Sequence, residues 1–340
     1  MSKTYDIAVV GATGLVGKTM IGILQERDFP VGKLYPLASQ RSVGRSVSFR
    51  AERREIEALD GFDFAKVQLA FFSAGGSVSA EYAPRATSAG TVVIDNTSHF
   101  RYDDDIPLVV PECNAARVAE YANRGIIANP NCSTIQMVVA LQPIHAAAGI
   151  ERINVATYQA ISGAGRRAME ALTDESRAHL DGRQASETGG EKPVAFNAVP
   201  KIAELMETGY TQEEMKMVWE TRKILEDPDI MVNPTCVRVP VYVGHSEAVH
   251  IETRTKITVL EVQKLLNSAP GVVLLDGREP GEYPTAATDA AHRDGVYVGR
   301  IREDISHPRG LDLWVVADNV RKGAALNSVQ IAEILVNQVM

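Results

Sequence analysis

Tyr5-Asp6-Ile7-Ala8-Val9-Val10 runs straight into Gly11-Ala12-Thr13-Gly14-Leu15-Val16-Gly17, and this junction narrows the possible folds more than any other stretch. The first six residues are apolar and β-prone, whereas residues 18–26 carry apolar side chains at helical spacing. Strand, glycine turn and helix in that order bring free backbone N–H groups and a helix N-terminus to one point. A pyrophosphate can sit there. The glycines follow GxxGxxG, a variant of the more usual GxGxxG. A tight βα turn with no ligand would show the same glycines, so the order of the flanking elements carries the reading. It predicts an α/β chain whose first domain is Rossmann-type and binds a dinucleotide.

The end of the second strand, expected over 33–38, decides which dinucleotide fits. NAD sites place an acid there to hold the ribose 2′-hydroxyl. Here Ser39-Gln40-Arg41-Ser42 follow, and no Asp or Glu occurs between Asp28 and Glu52. Hydroxyls and an arginine suit a 2′-phosphate, so NADP is favoured; for Gln40 a solvated loop is the plainer reading. Further strands are expected at 67–72 and 91–95, with a helix over 78–88 between them. Ser73-Ala74-Gly75-Gly76 and Asn96-Thr97-Ser98-His99-Phe100-Arg101 then fall at strand C-terminal ends, where open α/β sheets bind ligands. On local grounds Arg101 is a surface arginine.

Residues 125–128 read as one more strand, broken at Asn129-Pro130 because proline disfavours helical geometry in the residue before it. Ser133 and Thr134 supply N-cap chemistry for an apolar helix over 135–148. Cys132 therefore lies at the positive end of a helix, where the dipole and free N–H groups favour thiolate. That is the setting of a nucleophile. The plain alternative is a small buried hydrophobe, as free cysteines usually are.

With 340 residues, two domains are expected. A hydrophobic share of 45% and a charged share of 23% are those of an ordinary globular chain. The net charge of −8, with no block of Lys and Arg, argues against nucleic-acid binding. No apolar run approaches the ~18 residues of a membrane span, and the first strand begins too early to leave room for a signal peptide. Cys113, Cys132 and Cys236 are widely spaced and odd in number, so no disulfide framework is expected and a reducing, cytoplasmic setting fits. No CxxC, HExxH or clustered His/Cys pair suggests a metal site.

The second half reads as an α+β domain with a mixed sheet. A strand over 151–161 ends in Gln159-Ala160-Ile161-Ser162-Gly163-Ala164-Gly165, and a helix over 166–180 follows. The polar stretch 181–193 is the best candidate for a loop or interaction arm. Thr211 with Glu214 three residues on starts a helix running to about 225. On it Glu213 and Lys216 share a face, which alone would be a surface ion pair of little consequence. Strands are expected over 233–243 and 247–255, with His245 in the glycine-containing turn between them. Arg238 alternates with Val237 and Val239, and His250 lies with Glu252 and Arg254 on a solvated face. A helix over 258–268, strands at 272–275, 296–301 and 312–317, and a long final helix over 321–339 complete the domain.

Taken together, Gly11–Gly17, Ser73 to Gly76, Asn129 to Thr134, Gln159-Ala160-Ile161-Ser162-Gly163, Glu213 with Lys216, and Arg238 with Gly244-His245-Ser246 resemble the aspartate-β-semialdehyde dehydrogenases. The motifs span almost the whole chain in order. The resemblance implies an NADP-binding domain over 1–131 completed by a last helix over 320–340, and a catalytic, substrate-binding and dimerisation domain over 132–319. It implies Cys132 as nucleophile, His245 as its acid/base, Gln159 orienting the thioester and substrate, and Asn131 as a polar group beside the sulfur. By the same resemblance Arg238 would bind the substrate α-carboxylate and Glu213 its ammonium, while Arg101 and Lys216 hold inorganic phosphate. Gly11, Thr13, Gly14, Leu15, Val16, Arg41, Ser42, Ser73, Ser162, Gly163 and Asn319 would contact NADP. The implied reaction interconverts L-4-aspartyl phosphate and L-aspartate 4-semialdehyde in a cytoplasmic homodimer, on the route to lysine, threonine, methionine and diaminopimelate. N-acetyl-γ-glutamyl-phosphate reductase shares the architecture and cysteine chemistry, but its acylated substrate amine leaves Glu213 without a purpose. Glyceraldehyde-3-phosphate dehydrogenase normally favours NAD. A catalytically silent dinucleotide-binding sensor would not need Cys132, Gln159, Arg238 and His245 together.

Overall fold

The computed structural model describes residues 3–183 and 192–339, so most of the polar stretch expected as an arm, 184–191, lies outside the described residues. The chain divides into two compact units, Met1–Pro130 with Ala324–Met340, and Asn131–Gly323.

The first unit is built on β1 (Tyr5–Val10), α1 (Leu15–Glu26), β2 (Val31–Ala38), β3 (Ser46–Phe49), β4 (Glu52–Glu55), β5 (Glu57–Ala58), β6 (Leu69–Phe72), α2 (Gly76–Ser88), β7 (Val92–Asp95), α3 (Pro111–Asn114) and β8 (Ile126–Ala128). Six strands form one sheet in the order β5-β2-β1-β6-β7-β8, every pair parallel. The chain leaves β1 to one side for β2 and to the other for β6, so the switch point of the sheet lies at the glycine turn. Its central strands are covered on both faces, and Ile7, Ala8, Val9 and Val10 are all fully buried.

Three strands were not expected. Val47 and Phe49 alternate with serines on β3, and the charged run of β4 becomes a strand only because it pairs with β3. β5 is two residues long, below what periodicity reveals, yet it adds an edge strand beside β2. The final helix also differs from expectation. Only Leu326–Ile334 is α-helical, flanked by wider π turns at Arg321–Ala325 and Leu335–Val339. It is buried nearly all round rather than along one stripe, joining the core of Ile7, Met20, Leu24, Phe71 and Ile94. Polar Asn327 is tolerated there because its Nδ2 donates to Asn129 Oδ1 at 2.7 Å and to the Val109 carbonyl at 3.0 Å.

The second unit contains α4 (Cys132–Ala148), β9 (Ile150–Gln159), α5 (Arg166–Leu180), α6 (Gln212–Ile224), β10 (Met231–Arg238), β11 (His245–Thr253), α7 (Val259–Ser268), β12 (Val272–Leu274), β13 (Val296–Glu303) and β14 (Gly310–Ala317). Its six-stranded sheet runs β10-β9-β11-β14-β13-β12. The outer pairs β9–β10 and β12–β13 are parallel and the inner pairs antiparallel, so the sheet is mixed. α4 packs on β9, β11, β13 and β14 and against α6 and α7, which explains why it is apolar on every side. β10 stops at Arg238, five residues sooner than expected, because the chain turns at Pro240, where the Val241 N–H bonds back to the Val239 carbonyl at 2.8 Å instead of continuing the ladder. β11 begins at His245 itself, so that residue is the first of a strand and fully buried. His250, expected in solvent, is half-buried with Nδ1 3.2 Å from Asp312 Oδ1. Among the described residues no helix is long and apolar enough to cross a membrane.

The glycine turn carries the tightest packing of the first unit. Gly11 has φ +89°, and a Cβ on Gly17 would stand 2.3 Å from the Gly11 carbonyl oxygen, closer than any side chain tolerates. Gly17→Ala is expected to cost about 1–3 kcal/mol and to weaken dinucleotide binding at least tenfold. Chemical denaturation and nucleotide titration check both, and unchanged values would mean that the turn does not set the site.

Candidate active site

Asn131, not Ser133 or Thr134, caps α4. Its Oδ1 accepts the Ser133 and Thr134 N–H groups at 3.1 and 3.3 Å, and its backbone is extended at φ −64° and ψ 144°. Ser133 is withdrawn from capping because its hydroxyl accepts from Gln159 Nε2 at 2.9 Å. The helix therefore starts earlier than expected, and Cys132 is its first residue. There the sulfur meets the positive end of the dipole directly.

Asn131 is itself held by α6. Its backbone N–H donates to Glu220 Oε2 at 2.6 Å and its Nδ2 to Glu213 Oε1 at 2.9 Å. Glu213 Oε1 also accepts from Gln159 Nε2 at 3.3 Å, and Glu213 Oε2 pairs with Lys216 Nζ at 3.0 Å. The Glu213–Lys216 pair is thus part of a buried network and not a surface pair. Burial opposes the charge on Glu213, but Lys216 and the donors from Asn131 and Gln159 outweigh it and hold the carboxyl below its usual range. α6 starts where expected, on a capping box between Thr211 and Glu214.

His245 Nε2 stands 3.2 Å from Cys132 Sγ. On the other side of the ring, Nδ1 accepts the backbone N–H of Ala160 at 3.0 Å. Burial first, then the charge of Arg238, push the imidazole down to about 3 against a smaller opposing effect of Glu213, so the ring is neutral at ordinary pH. Arg238 lies at the end of β10 and donates Nη1 to the Ala160 carbonyl at 2.7 Å, and its charge reaches Cys132 and Glu213. Gly163 lies against both side chains: a Cβ there would stand 3.3 Å from Arg238 Nη1 and in ordinary contact with His245 Cε1 at 3.5 Å. The expected Ser162 and Asn319 bond to one another at 3.0 Å, and Asn319 Oδ1 also takes the Gly244 N–H at 3.0 Å. They brace the chain leading into His245.

The two core-facing thiols diverge. Cys132 is half-buried, whereas Cys236 is fully buried and burial pushes its thiol strongly up, leaving it inert. Among the described residues no group of three or more His, Cys, Asp or Glu side chains is disposed to hold a metal ion.

In the first unit a cavity of about 520 Å³ opens at the glycine turn, lined by Gly11, Thr13, Gly14, Ser39, Gln40 and Ser73 among others. Its residues fit a dinucleotide. Gly14 caps α1 without a side-chain bond, so the first N–H groups, on Leu15 and Val16, face no internal acceptor. A Cβ on Gly11 would strike the Ser73 backbone at 2.9 Å, so the two loops close on each other only through glycine. Arg41, exposed, and Ser42, half-buried, lie on a short 3-10 turn after β2. Asp60, which follows the unexpected β5, also lines the cavity. Arg101 proves to be buried, donating Nε to the Thr97 carbonyl at 3.0 Å and Nη2 to the Asn96 carbonyl at 2.9 Å.

Sequence reasoning missed Glu220, the Ala160 N–H, Gly323 and Asp60, and gave Ser133 the role of a cap. Glu220 left a signal: it sits seven residues after Glu213 and so shares its helix face. The others depend on long-range packing that spacing does not reveal.

Residues 6–121 match a family model described as semialdehyde dehydrogenase, NAD binding domain, and residues 141–322 one described as semialdehyde dehydrogenase, dimerisation domain. Aspartate-semialdehyde dehydrogenase of Legionella pneumophila is 59% identical over 335 residues, spanning 98% of this chain and 96% of that protein. A crystal structure of aspartate semialdehyde dehydrogenase II complexed with ASA from Vibrio cholerae superposes with a TM-score of 0.97 at 55% identity, covering 100% of both chains. The aspartate semialdehyde dehydrogenase with NADP from Candida albicans gives a TM-score of 0.77 at 26% identity, covering 98% of this chain and 99% of that one.

Two measurements test this geometry. His245 is neutral when folded and gains a proton at an ordinary pKa only when unfolded. Its contribution to stability is therefore full above about pH 6.5 and lost as pH falls toward 3. At most about 5 kcal/mol is at stake. Denaturation of His245→Gln should fall off less steeply than the parent between those limits, and equal slopes would contradict a buried neutral ring. A Cβ on Gly323 would lie 2.8 Å from Cys132 Cβ. Gly323→Ala should lower the alkylation rate of Cys132 by about tenfold or more through displacement of the sulfur, and an unchanged rate would sink that assignment.

Proposed function

The chain belongs to the semialdehyde dehydrogenase family, and from that premise we propose that Cys132 carries an acyl thioester through which L-4-aspartyl phosphate and L-aspartate 4-semialdehyde are interconverted with NADP and inorganic phosphate. The enzyme is an aspartate-semialdehyde dehydrogenase of amino-acid biosynthesis. One observation carries the residue assignment: a half-buried thiol at the first position of a helix, 3.2 Å from an imidazole nitrogen.

In the biosynthetic direction Cys132 sulfur attacks the acyl carbon, and the carbon–oxygen bond to phosphate breaks. The nicotinamide, when bound, supplies the hydride that converts the thioester to a thiohemiacetal. Collapse of that adduct returns the electron pair to sulfur and releases the aldehyde. His245 Nε2 is the ring atom that serves the sulfur and the substrate oxygen. Gln159 orients the thioester, its amide held by Ser133 and Glu213. Arg238 takes the α-carboxylate and ionised Glu213 the α-ammonium. Lys216, with Arg101, holds phosphate. Glu213 and Lys216 already neutralise each other at 3.0 Å. A substrate bringing an ammonium and a phosphate offers each a second partner without leaving either charge bare. Asn131 fixes the start of the helix and with it the sulfur.

NADP is held by Gly11, Thr13, Gly14, Leu15, Val16, Ser73, Ser162, Gly163 and Asn319, with Arg41 and Ser42 for the 2′-phosphate. The chain works as a homodimer, in keeping with the match of residues 141–322 to a dimerisation domain. A cytoplasmic site follows from the need to keep Cys132 reduced. N-acetyl-γ-glutamyl-phosphate reductase is disfavoured because buried, ionised Glu213 would face an uncharged amide.

NADPH formation should be seen with aspartate semialdehyde plus phosphate, and at least about a hundredfold less with N-acetylglutamate semialdehyde. Cys132→Ala should lower turnover by at least about a thousandfold. Full phosphate-dependent turnover by that variant, or preference for the acetylated substrate, would overturn the assignment.

A further inference from the structure

We propose that Glu247 of β11 keeps a proton on its carboxyl and donates it to the side-chain amide of Gln136 on α4. This link sets how close the start of the helix, with Cys132, stands to the strand, and makes Glu247 a positioning residue. The inference deepens the reaction assigned above and rests on it for turnover, though not for its geometry.

Glu247 follows His245 by two residues on β11, so both side chains leave the same face of the sheet. That face is the covered one: His245, Glu247, Val249, Ile251 and Thr253 are buried, whereas Ala248, His250 and Glu252 are only half-buried. On α4, Gln136 follows Cys132 by four residues, one turn further along the same side. The two pairs therefore run in step. Cys132 Sγ stands 3.2 Å from His245 Nε2, and one turn on, the Gln136 amide faces the Glu247 carboxyl. Gln136 Nε2 is turned toward the His245 carbonyl, 3.5 Å away.

Both side chains are fully buried. Among the described residues, neither carboxyl oxygen of Glu247 nor Oε1 of Gln136 has a hydrogen-bond partner. With Nε2 turned to the backbone, Gln136 leaves an acceptor for Glu247. Two acceptors that face each other need a proton between them, and only the carboxyl can hold one. The neighbours offer nothing to keep Glu247 ionised. β9 sets Thr157 opposite it and β14 sets Val315, while on β10 the buried thiol of Cys236 lies beyond Thr157. The nearest charges of α6, Glu213 and Glu214, are anions that act on Cys236. Burial pushes the Glu247 carboxyl well up, against a smaller effect of the Gln136 amide.

The link complements the joint on the other side of the helix. Asn131 ties the start of α4 to α6, and Glu247 ties the next turn to the sheet. Reaction rates fall steeply when reacting atoms are displaced by about 1 Å, so a tie on the strand side keeps Sγ and Nε2 at their working distance. Ionised Glu247 would set a carboxylate against the amide oxygen and push that turn away. Glu247 acts only through the placement of Cys132 and His245.

Infrared difference spectra of the whole chain, parent minus Glu247→Gln, read the proton directly. The parent should show a protonated-carboxyl band at about pH 8, where ordinary carboxyls are ionised, and its absence would overturn the proposal. Because the folded carboxyl is raised, its contribution to stability is full below about pH 4.5 and lost as pH rises toward the folded value. The folding constant of Glu247→Gln relative to the parent should therefore climb by up to about tenfold per pH unit above that point. A flat ratio would contradict a buried proton. Glutamine keeps an N–H for Gln136, so Glu247→Gln should be alkylated at Cys132, and turn over, within about threefold of the parent, whereas Glu247→Met should lose at least about tenfold in both at unchanged KM. Combining Glu247→Met with Gln136→Met removes both polar groups, which should restore stability without restoring either rate. Full rates in Glu247→Met, or rates that return with stability in the double variant, would overturn the positioning role. If the parent chain shows no phosphate-dependent turnover, the assigned reaction fails, while the infrared band and the alkylation rates still decide the role of Glu247.

Discussion

The Asn131 side chain is the joint on which the catalytic arrangement depends. Its oxygen closes the first turn of α4 through Ser133 and Thr134, and its nitrogen and backbone N–H are gripped by Glu213 and Glu220 of α6. A cap alone stabilises a helix by about 1 kcal/mol. Here it also joins two helices and fixes where the first residue of α4 stands. Glu213 is shared between that joint, Gln159 and Lys216, so position and charge balance are set by one network. Loss of a member leaves a buried charge or donor without its partner, which costs more than the bond itself is worth.

The same network separates two thiols by reactivity. Cys236 sits in the row of the sheet that pairs with Thr157, with Glu213 and Glu214 raising its proton affinity on top of burial. Cys132 has a helix N-terminus, an imidazole at 3.2 Å and the charge of Arg238. Both are small sulfur side chains near one core. What distinguishes them is which dipoles and charges face the sulfur.

Much of this was legible from residue order. The strand–glycine–helix junction of residues 5–26 gave the parallel sheet, and Thr211 with Glu214 gave the start of α6. Cys132, Gln159, Glu213, Arg238 and His245 were named from motifs, and the structure gathers them within one unit. Local pattern failed where a distant partner decides. β4 is a strand only beside β3, Ser133 loses the cap to Asn131 because Gln159 claims its hydroxyl, and His245 reads as a turn residue although it begins a fully buried strand. Arg101 illustrates the same failure in charge: a lone arginine in a polar stretch looks solvated, but two backbone carbonyls bury it. Backbone donors such as the Ala160 N–H leave no mark in composition at all.

A buried imidazole carries a cost, since an acidic medium favours the unfolded state that can protonate it. The fold meets that cost where the ring is held from both sides, by Cys132 Sγ at 3.2 Å and by the Ala160 N–H at 3.0 Å. The peptide plane that presents this N–H is fixed in turn, because the Gln159 carbonyl accepts from the Val239 N–H at 3.1 Å. Arg238 holds the following carbonyl, that of Ala160, at 2.7 Å. Desolvation of the ring is thus offset by position: an imidazole free in solvent would titrate more readily but would not stand at a fixed distance from the sulfur.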